Sequence, residues 1–457
     1  MNHVKCGRCV RCGREYPAVP NLTNCECGGI LDIIYDYDRI RTVLTRETLK
    51  NRTERSMWRY RELLPVEPET PAPPLRVGWS PLYEADRLAR ELGIAKLWVK
   101  DDGQNPTASL KDRASAMAVA KAQEAGAHVI ACSSTGNAAS SLAGNAAAAG
   151  LQTFIFVPSR APKGKVAQLM TFGATVISVQ GSYEDTFELS KQAIDRWGWY
   201  NRNAAINPYL SEGKKTVAYE IAEQLDWQMP DFIAISVGDG CTIAGLWKGL
   251  KDLHAVGLID RLPRLISAQA EGCCPINRAI AENRPWEPME ENTLADSIAV
   301  GVPRNADKAL MAIRESNGLV VNVSDAEIMA AQKLLGRTCG VFGEPAGVTG
   351  TAGVKKLCEQ GVLPYNLEVV WLQGKSHTEH YDSKQGVDVA GLDEADCVRC
   401  KERKCGNCDY DHCHVLADKV CDFFQCFHFG FSFVILKAVL LSSLIFQGIS
   451  HDGISSV

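Results

Sequence analysis

Residues 105–113 read Asn-Pro-Thr-Ala-Ser-Leu-Lys-Asp-Arg. The proline and the small residues ahead of Lys111 suit a tight turn inside a pocket. Ser109 followed three positions later by Asp112 has the spacing of a capping box, so a helix is predicted to begin here. Lys111 then falls in the first helical turn, where the positive end of the helix dipole disfavours a second positive charge. An amine destabilised as its ammonium is available as a nucleophile, which covalent capture of a carbonyl compound requires. Taken alone, a lysine at a helix start is ordinary solvated surface; the preceding turn argues against that here.

Working outward, short β-rich runs alternate with helix-length segments. The runs are LWVK from Leu97, VIAC from Val129, TFIFV from Thr153, TVISV from Thr175, FIAISV from Phe232, LVVNV from Leu319 and VVWL from Val369. Between them lie the helical stretches Asp112–Ala125, Ala138–Ala149, Tyr183–Trp197, Lys215–Leu225 and Ile243–His254. Strands apolar on both faces and alternating with helices predict parallel α/β layers. Two further turns follow predicted strands. In residues 133–139, Ser-Ser-Thr-Gly-Asn-Ala-Ala, backbone N–H groups can point into a cleft, and Asn137 either caps the next helix or faces a ligand. In residues 236–245, Ser-Val-Gly-Asp-Gly-Cys-Thr-Ile-Ala-Gly, Gly238 and Gly240 let the chain curl round an anion at a helix N-terminus. One such turn is a weak signal. Three after strands of one parallel sheet are collectively a much stronger signal, because ligands gather at those strand ends.

The 457 residues suffice for two or three domains. A hydrophobic share of 46% and a charged share of 23% are those of a soluble globular protein. With a net charge of −5 and no clustered basic stripe, no nucleic-acid partner is expected. The N-terminal residues lack the apolar core of a secretory signal, which leaves a cytoplasmic protein as the expectation. Of 18 cysteines, five lie between Cys6 and Cys27, six are scattered from Cys132 to Cys358, and seven crowd residues 397–426. Close pairs in a reducing compartment read as metal ligands rather than disulfides, and the scattered six as small buried hydrophobes. Four regions separate: a cysteine-rich segment at 1–37, a proline-rich linker at 38–77 that spaces or wraps rather than building core, a catalytic region at 78–374, and an atypical tail at 375–457.

These motifs resemble those of the threonine synthases, among the fold-type II pyridoxal-phosphate enzymes of the tryptophan synthase β-like superfamily, over about residues 1–372. The family's lysine motif, NPTGSFKDR, matches residues 105–113, so the resemblance implies that Lys111 carries the cofactor. Its STGNA turn implies that Asn137 meets the cofactor's phenolic oxygen. Its glycine loop aligns with Gly238, Asp239, Gly240, Cys241 and Thr242, which would cradle the cofactor phosphate. The segment from Gly164 to Gln180 resembles the family's GKxAQ…YGAxV stretch. The N-terminal pattern, C-x-x-C-G-x-x-Y then C-x-C-G-G-x-L, is similar as well. Implied with this are two open parallel α/β domains with the smaller inserted at about 112–206, a homodimer, and an amino-acid substrate. The implied reaction converts O-phosphohomoserine and water to threonine and phosphate.

Two departures widen the substrate range. The family's arginine ahead of its EGQKT segment is replaced by Leu210 in Asn207-Pro-Tyr-Leu-Ser-Glu-Gly-Lys-Lys-Thr216, leaving Lys214 or Lys165 to supply charge. After the last strand, Gln373 stands where the family has Ser or Thr, and its amide can still reach the cofactor's ring nitrogen. A lyase or β-replacement enzyme acting on serine, threonine or phosphoserine is the alternative, and a non-catalytic relative another. At the N-terminus Cys9, Cys12, Cys25 and Cys27 offer four thiolates for tetrahedral zinc, with Cys6 a fifth candidate; a metal-free vestigial ribbon is the alternative. In the tail, the apolar run 423–446 is long enough to span a bilayer, but Lys437 would cost about 2.5–3.5 kcal/mol at its centre. A shifted reading frame after Leu372 explains the tail and the lost motif better than a membrane anchor.

Overall fold

The computed structural model describes residues 3–373. Among the described residues thirteen strands form three sheets. Strands β1 (Val4–Cys9), β2 (Glu15–Tyr16) and β3 (Leu31–Tyr35) make a small antiparallel ribbon. Strands β4 (Leu82–Glu84) and β5 (Lys96–Asp101) open a second sheet, and the chain then leaves it. A separate four-stranded sheet follows: β6 (Val129–Ser133), β7 (Gln152–Pro158), β8 (Thr175–Val179) and β9 (Tyr200–Asn201), in the order β8-β7-β6-β9 and all parallel. The chain returns through β10 (Phe232–Ser236), β11 (Arg264–Ala270), β12 (Leu319–Val323) and β13 (Glu368–Gln373). The larger sheet has the order β12-β11-β10-β13-β5-β4, parallel except for β4.

Alternation along the central strands divides the apolar residues between two cores, as successive side chains on a strand must. Ile233 and Ile235 of β10, with Val370 and Leu372 of β13, face one core, while Phe232, Ala234, Val369 and Trp371 face the other. The last strand thus lies in the middle of the sheet, paired with β10 and β5. A third core belongs to the smaller sheet. The helix Lys111–Glu124 joins two cores: Ala114, Ala118 and Val119 pack under the small sheet, and Ala116, Met117 and Ala120 in the main core. Its run of alanines permits that closeness on both sides. The neighbouring helix Tyr209–Lys214 approaches it so nearly that a Cβ at Gly213 would lie 2.1 Å from the Arg113 carbonyl oxygen.

Two sequence expectations need correction. The segment 38–77 is not a mere spacer, because it builds core. It carries the helices Tyr37–Val43 and Arg46–Lys50 and a 3₁₀ segment, Met57–Leu63, whose Met57, Trp58, Tyr60 and Leu63 are buried in the main cluster. Its prolines disguise apolar residues that lack any regular period. Strand β11 escaped notice because Ser267 and Gln269 interrupt its apolar run. Both are buried and satisfied by Asn277: the Ser267 hydroxyl donates to Asn277 Oδ1 at 2.6 Å, and the Asn277 N–H donates to Gln269 Oε1 at 2.8 Å. The scattered cysteines are all free thiols, four buried and two half-buried. Among the described residues no helix is long and apolar enough to cross a membrane. The tail motifs, including the run 423–446, lie outside the described residues.

Candidate active site

Lys111 does begin a helix, but the start is built differently from a capping box. The Ser109 hydroxyl accepts the Lys111 N–H at 3.1 Å, while no side chain caps the helix proper. The Asp112 carboxylate turns back to the loop, accepting the Thr107 N–H at 2.9 Å and its hydroxyl at 2.8 Å. Asn145 donates to the same carboxylate at 2.8 Å. These bonds hold Ala108 in a left-handed conformation at φ 57°, which a non-glycine residue adopts only when its surroundings impose it. The capping-box reading is therefore replaced by a pinned turn.

Lys111 opens onto a cleft built by turns from two sheets rather than one, since residues 133–139 follow β6 of the smaller sheet and residues 236–242 follow β10 of the larger. Asn137, Gly238, Asp239, Gly240, Cys241 and Thr242 line the same cleft. Burial pushes the Lys111 ammonium down to about 8; Lys214 and Arg202 add to that, and Glu344 opposes it. Asn137 donates to Glu344 Oε1 at 2.9 Å, and the other oxygen of that carboxylate is buried without a partner. Burial holds the Glu344 carboxyl above the ordinary range. The helix Cys241–Ala255 starts at Gly240, at φ 85°, with no side chain capping it. Its first N–H groups are therefore available to a ligand. A Cβ at Gly238 would lie 2.7 Å from Ile298 Cα, so only glycine lets this turn sit beneath the 296–298 loop. The Asp239 carboxylate is occupied within the loop, accepting the Arg304 N–H at 2.6 Å and the Cys241 thiol at 3.1 Å. For Gln373 only the backbone is described: it follows Leu372, a cleft residue, and stands opposite Asp101 of β5.

The substituted position 210 is not part of the cleft wall. Leu210 is 2% exposed and packs in the small-sheet core, so no arginine there would reach the site without disrupting that core. Lys165 is paired with Asp296 at 2.8 Å. The cations that do line the cleft are Lys111, Arg202 and Lys214. Sequence reasoning missed Arg202 and Glu344. Nothing local marks Arg202, whereas Glu344 precedes a proline that begins the helix Pro345–Glu359, a detectable helix start.

At the N-terminus the sulfur atoms of Cys9, Cys12, Cys25 and Cys27 all lie within 4.8 Å of one another, with Cys9–Cys27 and Cys12–Cys25 at 3.5 Å. None is in a disulfide, and Cys6 stands outside the cluster. Tetrahedral zinc with bonds of about 2.3 Å needs sulfur separations of roughly this size.

Pyridoxal phosphate fits the cleft on four grounds. The lysine amine is activated, an uncapped glycine turn offers N–H donors, an asparagine amide faces the cleft, and Glu344 keeps an unpartnered oxygen. Residues 74–374 match the family model described as pyridoxal-phosphate dependent enzyme. Threonine synthase of Methanocaldococcus jannaschii is 42% identical over 368 residues, covering 79% of this chain and 90% of that protein. That of Methanosarcina acetivorans is 43% identical over 374 residues, covering 81% and 90%. Among solved structures, tomato threonine deaminase isoform 2 aligns with a TM-score of 0.58 at 20% identity, over 68% of this chain and 88% of that one. Maize serine racemase aligns at 0.58 and 21%, over 70% and 92%, and these two support the fold alone. The chain thus belongs to the family of pyridoxal-phosphate dependent enzymes, as a homologue of the threonine synthases.

Proposed function

We propose that this chain is a threonine synthase, converting O-phosphohomoserine and water to L-threonine and phosphate with pyridoxal phosphate held on Lys111. The observation that carries the proposal is the meeting, in one cleft, of the Lys111 amine, the uncapped turn 238–242 and the Asn137–Glu344 pair. Pyridoxal phosphate, when bound, supplies an electron sink for negative charge at the substrate carbons. The N–H groups following Gly238 and Gly240 hold its phosphate, and Asn137 orients the ring through the phenolic oxygen. Gln373 is assigned the ring nitrogen. Lys111 Nζ, with its ammonium destabilised by burial, moves protons at the substrate Cα and Cβ as general base and acid. We assign zinc to Cys9, Cys12, Cys25 and Cys27 as a structural ion of the ribbon.

The same lysine cleft also suits the rival reading, a lyase or β-replacement enzyme using serine, threonine or phosphoserine. Purified protein offered O-phosphohomoserine, serine, threonine and phosphoserine separates the two. Phosphate and threonine from the first substrate support threonine synthase. Ammonia with pyruvate or 2-oxobutyrate, and no phosphate from O-phosphohomoserine, refutes it.

A further inference from the structure

Lys214 ends the helix Tyr209–Lys214 and lines the cleft while being only 5% exposed. Among the described residues its ammonium makes no hydrogen bond or ion pair. That sets it apart from the other six buried lysines. Lys100, Lys121, Lys165, Lys215, Lys248 and Lys308 each meet a carboxylate. A buried ammonium without a counter-charge is unfavourable, and a protein retains one where something else supplies the anion.

The surroundings say what that anion is. Lys214 packs beside the helix Cys241–Ala255, where a Cβ at Gly245 would lie 3.1 Å from the Lys214 Cβ. It therefore stands next to the uncapped, electropositive start of that helix, with Lys111 and Arg202 on the same cleft wall. Neither carboxylate lining the cleft, Asp239 or Glu344, forms an ion pair with it. Asp239 is bound by the Arg304 N–H and the Cys241 thiol, and Glu344 by Asn137. A site with several backbone donors and a point-charge ammonium that no carboxylate pairs is suited to a compact dianion.

We infer that Lys214 is the side-chain ligand of a phosphate monoester dianion seated at the N-terminus of the helix Cys241–Ala255. The inference rests on the proposed reading, which brings two such groups to the cleft, the cofactor's 5′-phosphate and the substrate's phosphate. It adds a residue: the related EGQKT segment carries glutamine where this chain has Lys214.

The test compares wild type with Lys214→Gln and Lys214→Arg, each as apoprotein and as holoprotein. Removal of an unpaired buried cation should raise the melting temperature of the Lys214→Gln apoprotein, while the further rise on adding pyridoxal phosphate should shrink. If the cofactor's phosphate is the ligand, pyridoxal phosphate affinity falls on the order of tenfold or more, pyridoxal affinity is unchanged, and Lys214→Arg restores most of the loss. If the substrate's phosphate is the ligand, cofactor affinity holds and the KM for O-phosphohomoserine rises by that factor with kcat largely kept. Should Lys214→Gln leave cofactor affinity, KM and apoprotein melting all within twofold or one degree of wild type, the inference is overturned. Wild type that binds pyridoxal phosphate through Lys214 but releases no phosphate from O-phosphohomoserine would instead overturn the functional reading alone.

Discussion

Arg113, two residues beyond Lys111, is fully buried, and replacing it with methionine should cost the protein a large part of its stability. Its guanidinium grips Asp102 in a fork, Nε to Oδ2 and Nη2 to Oδ1, both at 2.7 Å. It also reaches both oxygens of Glu220 and donates to the Thr216 hydroxyl at 2.9 Å. Lys100 completes the group with a 2.7 Å bond to Glu220, and all four charged side chains are 0% exposed. Two cations balance two anions, tying the end of β5 to the lysine helix and to the helix Thr216–Gln224. Arg113→Met leaves one negative charge uncompensated among buried groups. Breaking a buried pair in this way costs about 3–5 kcal/mol, and because Asp102 and Glu220 both lose the same guanidinium the upper end applies. At about 2 °C per kcal/mol for a body of this size, the melting point should fall by about 10 °C.

The pH dependence of that loss gives a second check. Burial alone would raise the Glu220 carboxyl, but Arg113 and Lys100 outweigh it and hold it at about 2, below its ordinary 4.5. A depressed carboxyl contributes stability that is present above the unfolded value and lost as pH falls through the folded one. In the variant, burial prevails and the carboxyl takes up a proton more readily. The deficit against wild type should therefore be full at pH 7 and shrink as pH falls through the variant's raised value and on toward the wild-type value of about 2. Denaturant unfolding of both proteins at pH 7 and pH 4 measures this, and Arg113→Met with Asp102→Asn should recover part of the loss by restoring neutrality. A deficit under about 1 kcal/mol at pH 7, or one independent of pH, refutes the argument.

Other outcomes follow from single residues. Lys111→Ala should fold normally yet retain no cofactor after borohydride reduction and dialysis, and fixed cofactor on that variant would exclude Lys111. In wild type, the rate at which apoprotein recaptures pyridoxal phosphate should climb with pH and level off above about 8, where the Lys111 amine is neutral; a rate still climbing at pH 10 would contradict the burial effect. Cys25→Ser should lower zinc content, read by metal analysis of the purified protein, and zinc equal to wild type would place the ion elsewhere. Leu210→Arg, inserted into a closed core, should lower the melting temperature by several degrees rather than improve KM, whereas a lower KM at unchanged stability would show that the side chain reaches the cleft. Truncation after Ser376 should preserve cooperative unfolding and cofactor occupancy, since β13 ends at Gln373; loss of either would make the tail part of the body.

The parts of the site written in the sequence are those whose cause is local. A glycine turn after an apolar strand declares itself within ten residues, because only glycine tolerates the backbone or the close approach there. Hence the sequence singled out Lys111, Asn137 and Gly238–Thr242, which share one cleft, along with the parallel α/β class. What tertiary structure decided is which distant groups meet. Asp112 has the spacing to cap Ser109, yet Thr107 and Asn145 compete for its carboxylate and win. Position 210 stands one helical turn from Lys214, but its side chain faces the small-sheet core while Lys214 faces the cleft, a difference set by packing. Arg202 and Glu344 come from segments 142 positions apart, and the unpaired state of Lys214 exists only relative to its neighbours. Charge compensation is a property of three-dimensional surroundings, so the sequence could single out the candidate lysine but not the cations and the acid that set its charge.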